Sequence, residues 1–191
     1  MRYFLMLLFI SVLTACKPAI EGNQFVATDI TGADFAQTLR LTDHTGNPRA
    51  LTDFKGKAVV LFFGYTHCPD VCPTTMLDLK QTMKLLGPRA DELQVLFVTL
   101  DPARDTQAVL AQFVPSFDKR FIGLRGNEQE TSAATATFKI YAKKVDVQGK
   151  GGYTVDHSAG MYVFDKAGKI RLYIDYGEKP VDIAHDLKLI L

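Results

Sequence analysis

The chain has 191 residues, 47% of them hydrophobic and 23% charged, which is globular composition and excludes a disordered or fibrous protein. That length suits a single domain with a sizeable core and a tail. With 22 basic residues against 21 acidic ones the formal charge is +1, and no basic block breaks the balance, so no nucleic-acid partner is expected. Three cysteines are too few for a disulfide-stapled scaffold, and each needs its own explanation.

Residues 1–15 (MRYFLMLLFISVLTA) hold one Arg, an apolar stretch from Tyr3 to Leu13, and small residues before Cys16. The stretch is too short to span a bilayer as a helix, which needs about 20 residues, and fits the apolar region of an export signal. Leu13-Thr14-Ala15-Cys16 resembles the bacterial lipobox, in which the cysteine is lipidated and becomes the mature N-terminus. A plain signal peptide cleaved nearby would instead leave Cys16 a free thiol. The lipoprotein reading is preferred because the cysteine sits at the correct end of the apolar run. Of the basic residues Arg2 alone lies in this leader, so its removal brings the net charge to zero. The expectation is an exported domain tethered by acyl chains, facing the periplasm or cell exterior. Outside the cytoplasm thiols tend to be oxidised unless reduced or held by metal, and with Cys16 capped, Cys68 and Cys72 form a pair by default.

Residues 16–34 have little apolar periodicity and are expected to be the lipidated cysteine and a flexible tether, leaving 35–191 as the folded domain. Residues 35–41 and the turn at Asp43 to Asn47 suggest a short hairpin. Ala58 to Tyr65 (AVVLFFGY) is continuously apolar, as in a strand covered on both faces. From Thr74, Met76, Leu79, Met83 and Leu86 recur at helical spacing until Gly87-Pro88 stops the helix. Leu93 to Leu100 is a second buried strand. Val109, Leu110, Phe113 and Val114 mark a helix, Phe121 to Leu124 a short strand, and Asn127 to Phe138 a third helix. Two strands, Ala159 to Asp165 and Ile170 to Tyr176, flank the turn at Lys166 to Gly168, and a last helix follows Pro180. This order predicts an α/β fold, a mixed sheet with helices on both faces.

Cys68 and Cys72 lie between a buried strand and a helix, four residues apart, so both sulfurs can point into one small volume. A helix N-terminus favours thiolate, the form that ligates metal or attacks a disulfide. Pro69 and Pro73 stiffen the segment, and Pro73 suits a first helical turn. On spacing alone three readings stay open: a structural disulfide, a redox dithiol one residue wider than the usual CxxC, and a metal site needing a further ligand. His157, expected at the entry to a buried strand whose end can approach the loop after Cys68, supplies the ligand candidate. A lone histidine there would be an ordinary surface or core residue; paired with the cysteines it becomes a ligand candidate. Two thiolates and an imidazole suit copper, the sulfurs favouring Cu(I) and the nitrogen helping to hold Cu(II), while zinc is chemically allowed. Asp156 is a candidate to orient the imidazole. His67 is assigned to packing or to tuning Cys68, His44 and His185 to solvated positions, and Met76, Met83 and Met161 to the core.

GYTHCPDVCP (64–73), TLDPARDT (99–106) and VDHS (155–158), in this order and spacing, resemble the Sco/SenC family from about residue 35 to the C-terminus. The resemblance implies a thioredoxin-like fold with an inserted hairpin, and one copper held by the residues matching Cys68, Cys72 and His157. It also implies copper delivery to, or thiol reduction of, the binuclear copper site in subunit II of cytochrome c oxidase. Many family members are held by a transmembrane helix where this chain has a lipid anchor. The region of thioredoxin's cis-proline is His157-Ser158 here, without proline, which weakens a general oxidoreductase reading. Asp101, Arg104 and Asp105 either shape a loop near the site or cap the helix expected from Asp105. Copper binding requires Cys68 and Cys72 to be reduced, by a thiol reductant of thioredoxin type. The expectation is a metallochaperone, not an enzyme. The alternatives are an extracytoplasmic thiol–disulfide oxidoreductase or thiol peroxidase using Cys68 and Cys72, or a binding module with an inert disulfide.

Overall fold

A computed structural model describes residues 25–147 and 152–191; the leader, Cys16 and residues 17–24 of the expected tether lie outside the described residues. In chain order the elements are β1 (Thr28–Asp29), β2 (Arg40–Asp43), β3 (Pro48–Ala50), β4 (Ala58–Gly64), α1 (Val71–Leu86), β5 (Leu93–Thr99), α2 (Gln107–Phe113), β6 (Ile122–Arg125), α3 (Glu128–Thr137), β7 (Ala142–Asp146), β8 (Tyr153–His157), β9 (Met161–Phe164), β10 (Ile170–Ile174) and α4 (Pro180–Ile190). One eight-stranded mixed sheet runs β1-β10-β9-β4-β5-β6-β2-β3, and β7 and β8 pair as a separate antiparallel hairpin. This is the α/β architecture expected from the sequence, a sheet flanked by helices with a terminal and an inserted hairpin.

β4 and β5 carry unbroken apolar runs because every residue of both is buried. They pair in parallel from Ala58↔Leu93 to Gly64↔Thr99, and β4 pairs antiparallel with β9 on its other side. A central strand covered on both faces cannot show the alternation of a half-exposed one. Aromatic rings fill the space around it. Phe62 meets Phe97 at 6.0 Å between centroids, and Phe63 meets Phe138 at 5.3 Å. Because β4 and β5 are parallel, the loops leaving their C-terminal ends emerge side by side, where ligands bind in open α/β sheets. The Leu100 N–H donates to the Gly64 carbonyl at 2.7 Å, joining these ends.

The folded domain begins earlier than the expected boundary at residue 35. β1 pairs with β10, and the Val26 and Ala27 N–H groups donate to the Asp186 carboxylate at 3.0 and 2.7 Å. Ala27 is 2% exposed and Asp186 is fully buried on α4. The segment is tied by backbone pairing and one distant carboxylate, neither of which leaves an apolar period in its own sequence. The terminal hairpin uses Arg40–Asp43 as its first strand, later than 35–41, closing on a buried Asp43 that accepts from Thr45, Asn47 and Arg49. Strands β9 and β10 are shorter than the expected Ala159 to Asp165 and Ile170 to Tyr176.

Replacing Asp186 by Ala leaves two backbone donors without their carboxylate, at a cost of about 1–3 kcal/mol. Urea unfolding is expected to show that loss, and hydrogen exchange at Val26 and Ala27 is expected to accelerate beyond the global change.

Candidate metal centre

Cys68 lies in the loop between β4 and α1, and Cys72 in the first turn of α1. The helix starts three residues before the Thr74 expected from its apolar spacing. Pro73 is accommodated there because a first-turn residue has no helical partner for an N–H. The Cys72 N–H donates to Cys68 Sγ at 3.4 Å, so this sulfur takes the place of a side-chain cap that Asp70 does not supply. Both cysteines are free thiols. Cys68 is half-buried, whereas Cys72 is 0% exposed. Its sulfur fits beside Gly64, where an added Cβ would stand 2.8 Å from it and 3.0 Å from the Phe97 ring. Burial pushes the Cys72 thiol well above its ordinary pKa, and the charges of Cys68 and Asp105 push the same way. The helix N-terminus therefore does not make Cys72 a ready thiolate, as the sequence had suggested; desolvation outweighs it.

His157 stands at the entry to the buried strand β9, as expected, as the last residue of β8 in the separate hairpin. Its Nε2 stands 3.6 Å from Cys72 Sγ. Its Nδ1 is 2.8 Å from the Ser158 carbonyl, which can only accept, so Nδ1 carries the proton and Nε2 presents its lone pair toward the sulfur. The ring is wedged edge-on against Tyr65 at 5.9 Å and Phe62 at 6.4 Å. Burial lowers the His157 pKa; the Ser158 bond and the charge of Asp156 act against that. Orientation therefore comes from a backbone carbonyl, while Asp156, the expected orienting group, is exposed.

An open cleft of about 380 Å³ borders Cys68 and His157, lined also by Tyr65, Pro69, Val71 and Val155, while Cys72 is buried behind it. The structure thus brings Cys72 and His157 together and holds Cys68 against the Cys72 backbone. Among the described residues no group of three His, Cys, Asp or Glu side chains is drawn up at metal-holding distance.

The turn after β5 lies against both halves of the site. Asp105 accepts from the Thr66 N–H at 2.9 Å, the Thr66 hydroxyl at 2.6 Å and the Thr99 hydroxyl at 2.5 Å. Asp101 accepts from the Tyr153 hydroxyl at 2.7 Å and from Arg104. Arg104 in turn donates to the Tyr153 carbonyl at 2.9 Å and stacks on the Tyr153 ring, 3.7 Å from its centroid. Of the two roles open for Asp101, Arg104 and Asp105, loop shaping holds. α2 is capped by Thr106, whose hydroxyl accepts from Val109 at 3.3 Å. The sequence assigned no role to Gly64 or Tyr65 within the motif at 64–73, nor to Tyr153, where no strand was expected.

His67 is mostly exposed, its Nδ1 3.1 Å from the Thr66 hydroxyl. His44 is not merely solvated as expected: its Nδ1 accepts from the Gly123 N–H at 3.0 Å, tying the terminal hairpin to β6. His185 is half-exposed and contacts the buried Asp186 at 2.8 Å. Met76, Met83 and Met161 are core residues, as expected.

Gly64→Ala is expected to push the Cys72 sulfur off its seat, costing about 1–3 kcal/mol by overpacking, with Cys72 alkylating faster than in the parent. The lowered His157 pKa has a stability consequence in the metal-free protein. Below the unfolded value of about 6.5 the unfolded chain takes a proton that the folded ring resists, so stability is full above that pH and falls as the pH drops toward the folded value. Denaturant midpoints measured against pH are expected to show this slope, reduced in His157→Asn.

The SCO1/SenC family model matches residues 27–191. A zebrafish (Danio rerio) mitochondrial SCO2 homolog is 40% identical over 138 residues, covering 71% of this chain and 48% of its own length. The chain spans about half the length of the vertebrate mitochondrial relatives it matches. An SCO2-like protein of Rickettsia felis is 32% identical over 183 residues, covering 95% of this chain and 87% of the relative. The structure of Bradyrhizobium japonicum ScoI with copper bound superposes with a TM-score of 0.74 at 37% identity, over 81% of this chain and 98% of that one. By this match across nearly the whole described domain, the chain belongs to the SCO1/SenC family.

Proposed function

We propose that this protein is a tethered copper carrier. Cys68, Cys72 and His157 hold one copper as cargo, for delivery to the binuclear copper site in subunit II of cytochrome c oxidase. The observation that carries this reading is the 3.6 Å approach of His157 Nε2 to Cys72 Sγ, with the Nε2 lone pair left free by the Ser158 bond. The copper bound in the Bradyrhizobium relative supports it. The donor chemistry fits: two soft sulfurs and one imidazole suit copper in either oxidation state. The neutral His157 favoured by burial is the ligating form, and a metal ion would displace the Cys72 proton that burial otherwise retains. Cys68 completes the set when its sulfur turns from the Cys72 N–H into the cleft that it lines.

The open cleft leaves the cargo reachable by a partner's own thiols and imidazoles, so transfer proceeds by ligand exchange. Oxidation of Cys68 and Cys72 to a disulfide removes both sulfur ligands, and a thiol reductant of thioredoxin type restores them. Lipidation at Cys16, outside the described residues, would hold the domain at an extracytoplasmic membrane face; no described helix is long and apolar enough to cross a membrane. Keeping the thiols of subunit II reduced is the other role of the same pair.

A second reading, a thiol–disulfide oxidoreductase or thiol peroxidase, has one observation in its favour. Cys68 is half-buried at the cleft, with buried Cys72 one helical turn behind it as a resolving thiol. The two readings part at His157, which thiol exchange does not need.

Copper titration of the reduced protein is expected to show one tightly held copper with a sulfur-to-copper charge-transfer band. His157→Ala and Cys72→Ser are expected to lower affinity by more than the roughly 10–100-fold typical of groups that only orient a ligand. Parental affinity in His157→Ala, with rapid thiol–disulfide exchange, would sink the copper reading in favour of the second.

A further inference from the structure

The hairpin that carries His157 shares no strand pairing with the main sheet; β7 and β8 pair with each other. The sheet's hydrogen bonds reach His157 only through the short connection to β9, whose Met161 pairs with Phe62, and they do not hold the far end of β8 at Tyr153. The turn from Asp101 to Asp105 does touch both parts, through two carboxylates that are each 0% exposed. A buried carboxylate must be compensated. Here the compensation is drawn from the two segments that bear the proposed ligands. The Asp105 carboxylate takes both Thr66 donors, two residues before Cys68, together with the Thr99 hydroxyl at the end of β5. Asp101 and Arg104 grip Tyr153, the first residue of β8, by its hydroxyl, its carbonyl and its ring face. Arg104 also faces Tyr65 at 5.8 Å, and Tyr65 packs on the His157 ring.

The geometry points to the Asp101–Asp105 turn as a brace that sets the cysteine loop and the histidine hairpin in register before any metal arrives. Arg104 is the positioning residue for His157, and Asp105 for the loop of Cys68. Tyr153 and His157 are the two ends of one strand, about 13 Å apart at strand rise, so a slackened grip at Tyr153 is carried along β8 to the imidazole. The guanidinium serves where an ammonium would not, because one planar group both hydrogen-bonds along its edge and stacks by its face.

The copper arm of the test rests on the metal site proposed above; the metal-free arm does not. The full chain is prepared with Arg104→Gln, with Tyr153→Phe, which removes a single hydroxyl and keeps the ring, and with Asp105→Asn. Asp186→Ala, remote from the turn, controls for general destabilisation. In the metal-free proteins, alkylation of Cys72 resolved by peptide mapping is expected to rise about tenfold in Arg104→Gln, the weight of a lost charge-assisted bond. The His157 ring resonances are expected to shift in both hairpin-arm variants. Asp105→Asn is expected to raise alkylation at Cys68 and Cys72 with little change in the His157 ring. Copper affinity is expected to fall about 10–100-fold in Arg104→Gln with a shifted charge-transfer band, and to stay parental in Asp186→Ala. If Arg104→Gln and Tyr153→Phe fold and leave Cys72 alkylation, the His157 ring and copper affinity at parental values, the brace is refuted. The same holds if Asp186→Ala moves these readings equally. If the parent binds no copper while the metal-free readings respond as stated, the brace stands and the copper reading falls.

Discussion

Cys72 is buried completely beside a neutral imidazole, and the rest of the site follows from that burial. A thiol tolerates it because protonated cysteine behaves as a small hydrophobic group; a thiolate does not, because desolvating its charge is costly. The metal-free protein therefore keeps Cys72 protonated and His157 neutral. In the proposed carrier a bound cation would change the balance, since it would supply the opposite charge that the interior lacks, and proton release would accompany metal uptake. The absence of a Cβ at residue 64 makes room for the sulfur at the end of the most buried strand of the sheet.

The site draws on the main sheet and on a separate hairpin. The cysteine loop leaves the end of β4, whose neighbours β5 and β9 hold it on both sides. The histidine stands on a hairpin outside that sheet. Their contact is maintained by side chains: the edge-on rings of Phe62 and Tyr65, and the Asp101–Arg104–Tyr153 cluster. Such an arrangement suits a carrier, in which the ligands must meet in one geometry and still remain open to a partner.

Much of this was legible from the chain. The apolar runs of β4 and β5 are unbroken because both faces are covered, and such runs are hard to mistake for loops. Helix α3 was bounded closely, and its start is fixed by the reciprocal capping box of Asn127 and Glu130. The start of α1 was not, because a cysteine sulfur, not a usual capping side chain, takes its N-terminal N–H. The residues from Phe25 looked like tether because what fastens them, Asp186 and the edge of β10, lies at the other end of the chain. Asp156 was the natural candidate to orient His157 by adjacency. The orienting atom is instead a backbone carbonyl, which no side-chain pattern reports.

What the sequence determined by itself was the chemistry: which two sulfurs and which imidazole are available, the α/β class, and family membership through three motifs in register. Those depend on residue type, spacing and periodicity, which are local properties. The tertiary structure decided the protonation and the register. Burial raises the Cys72 thiol and lowers the His157 ring, and two buried carboxylates on a turn outside the proposed ligand set reach both segments that carry the proposed ligands. Desolvation and long-range hydrogen bonds depend on what surrounds a residue in space, and that is settled only when the chain has folded.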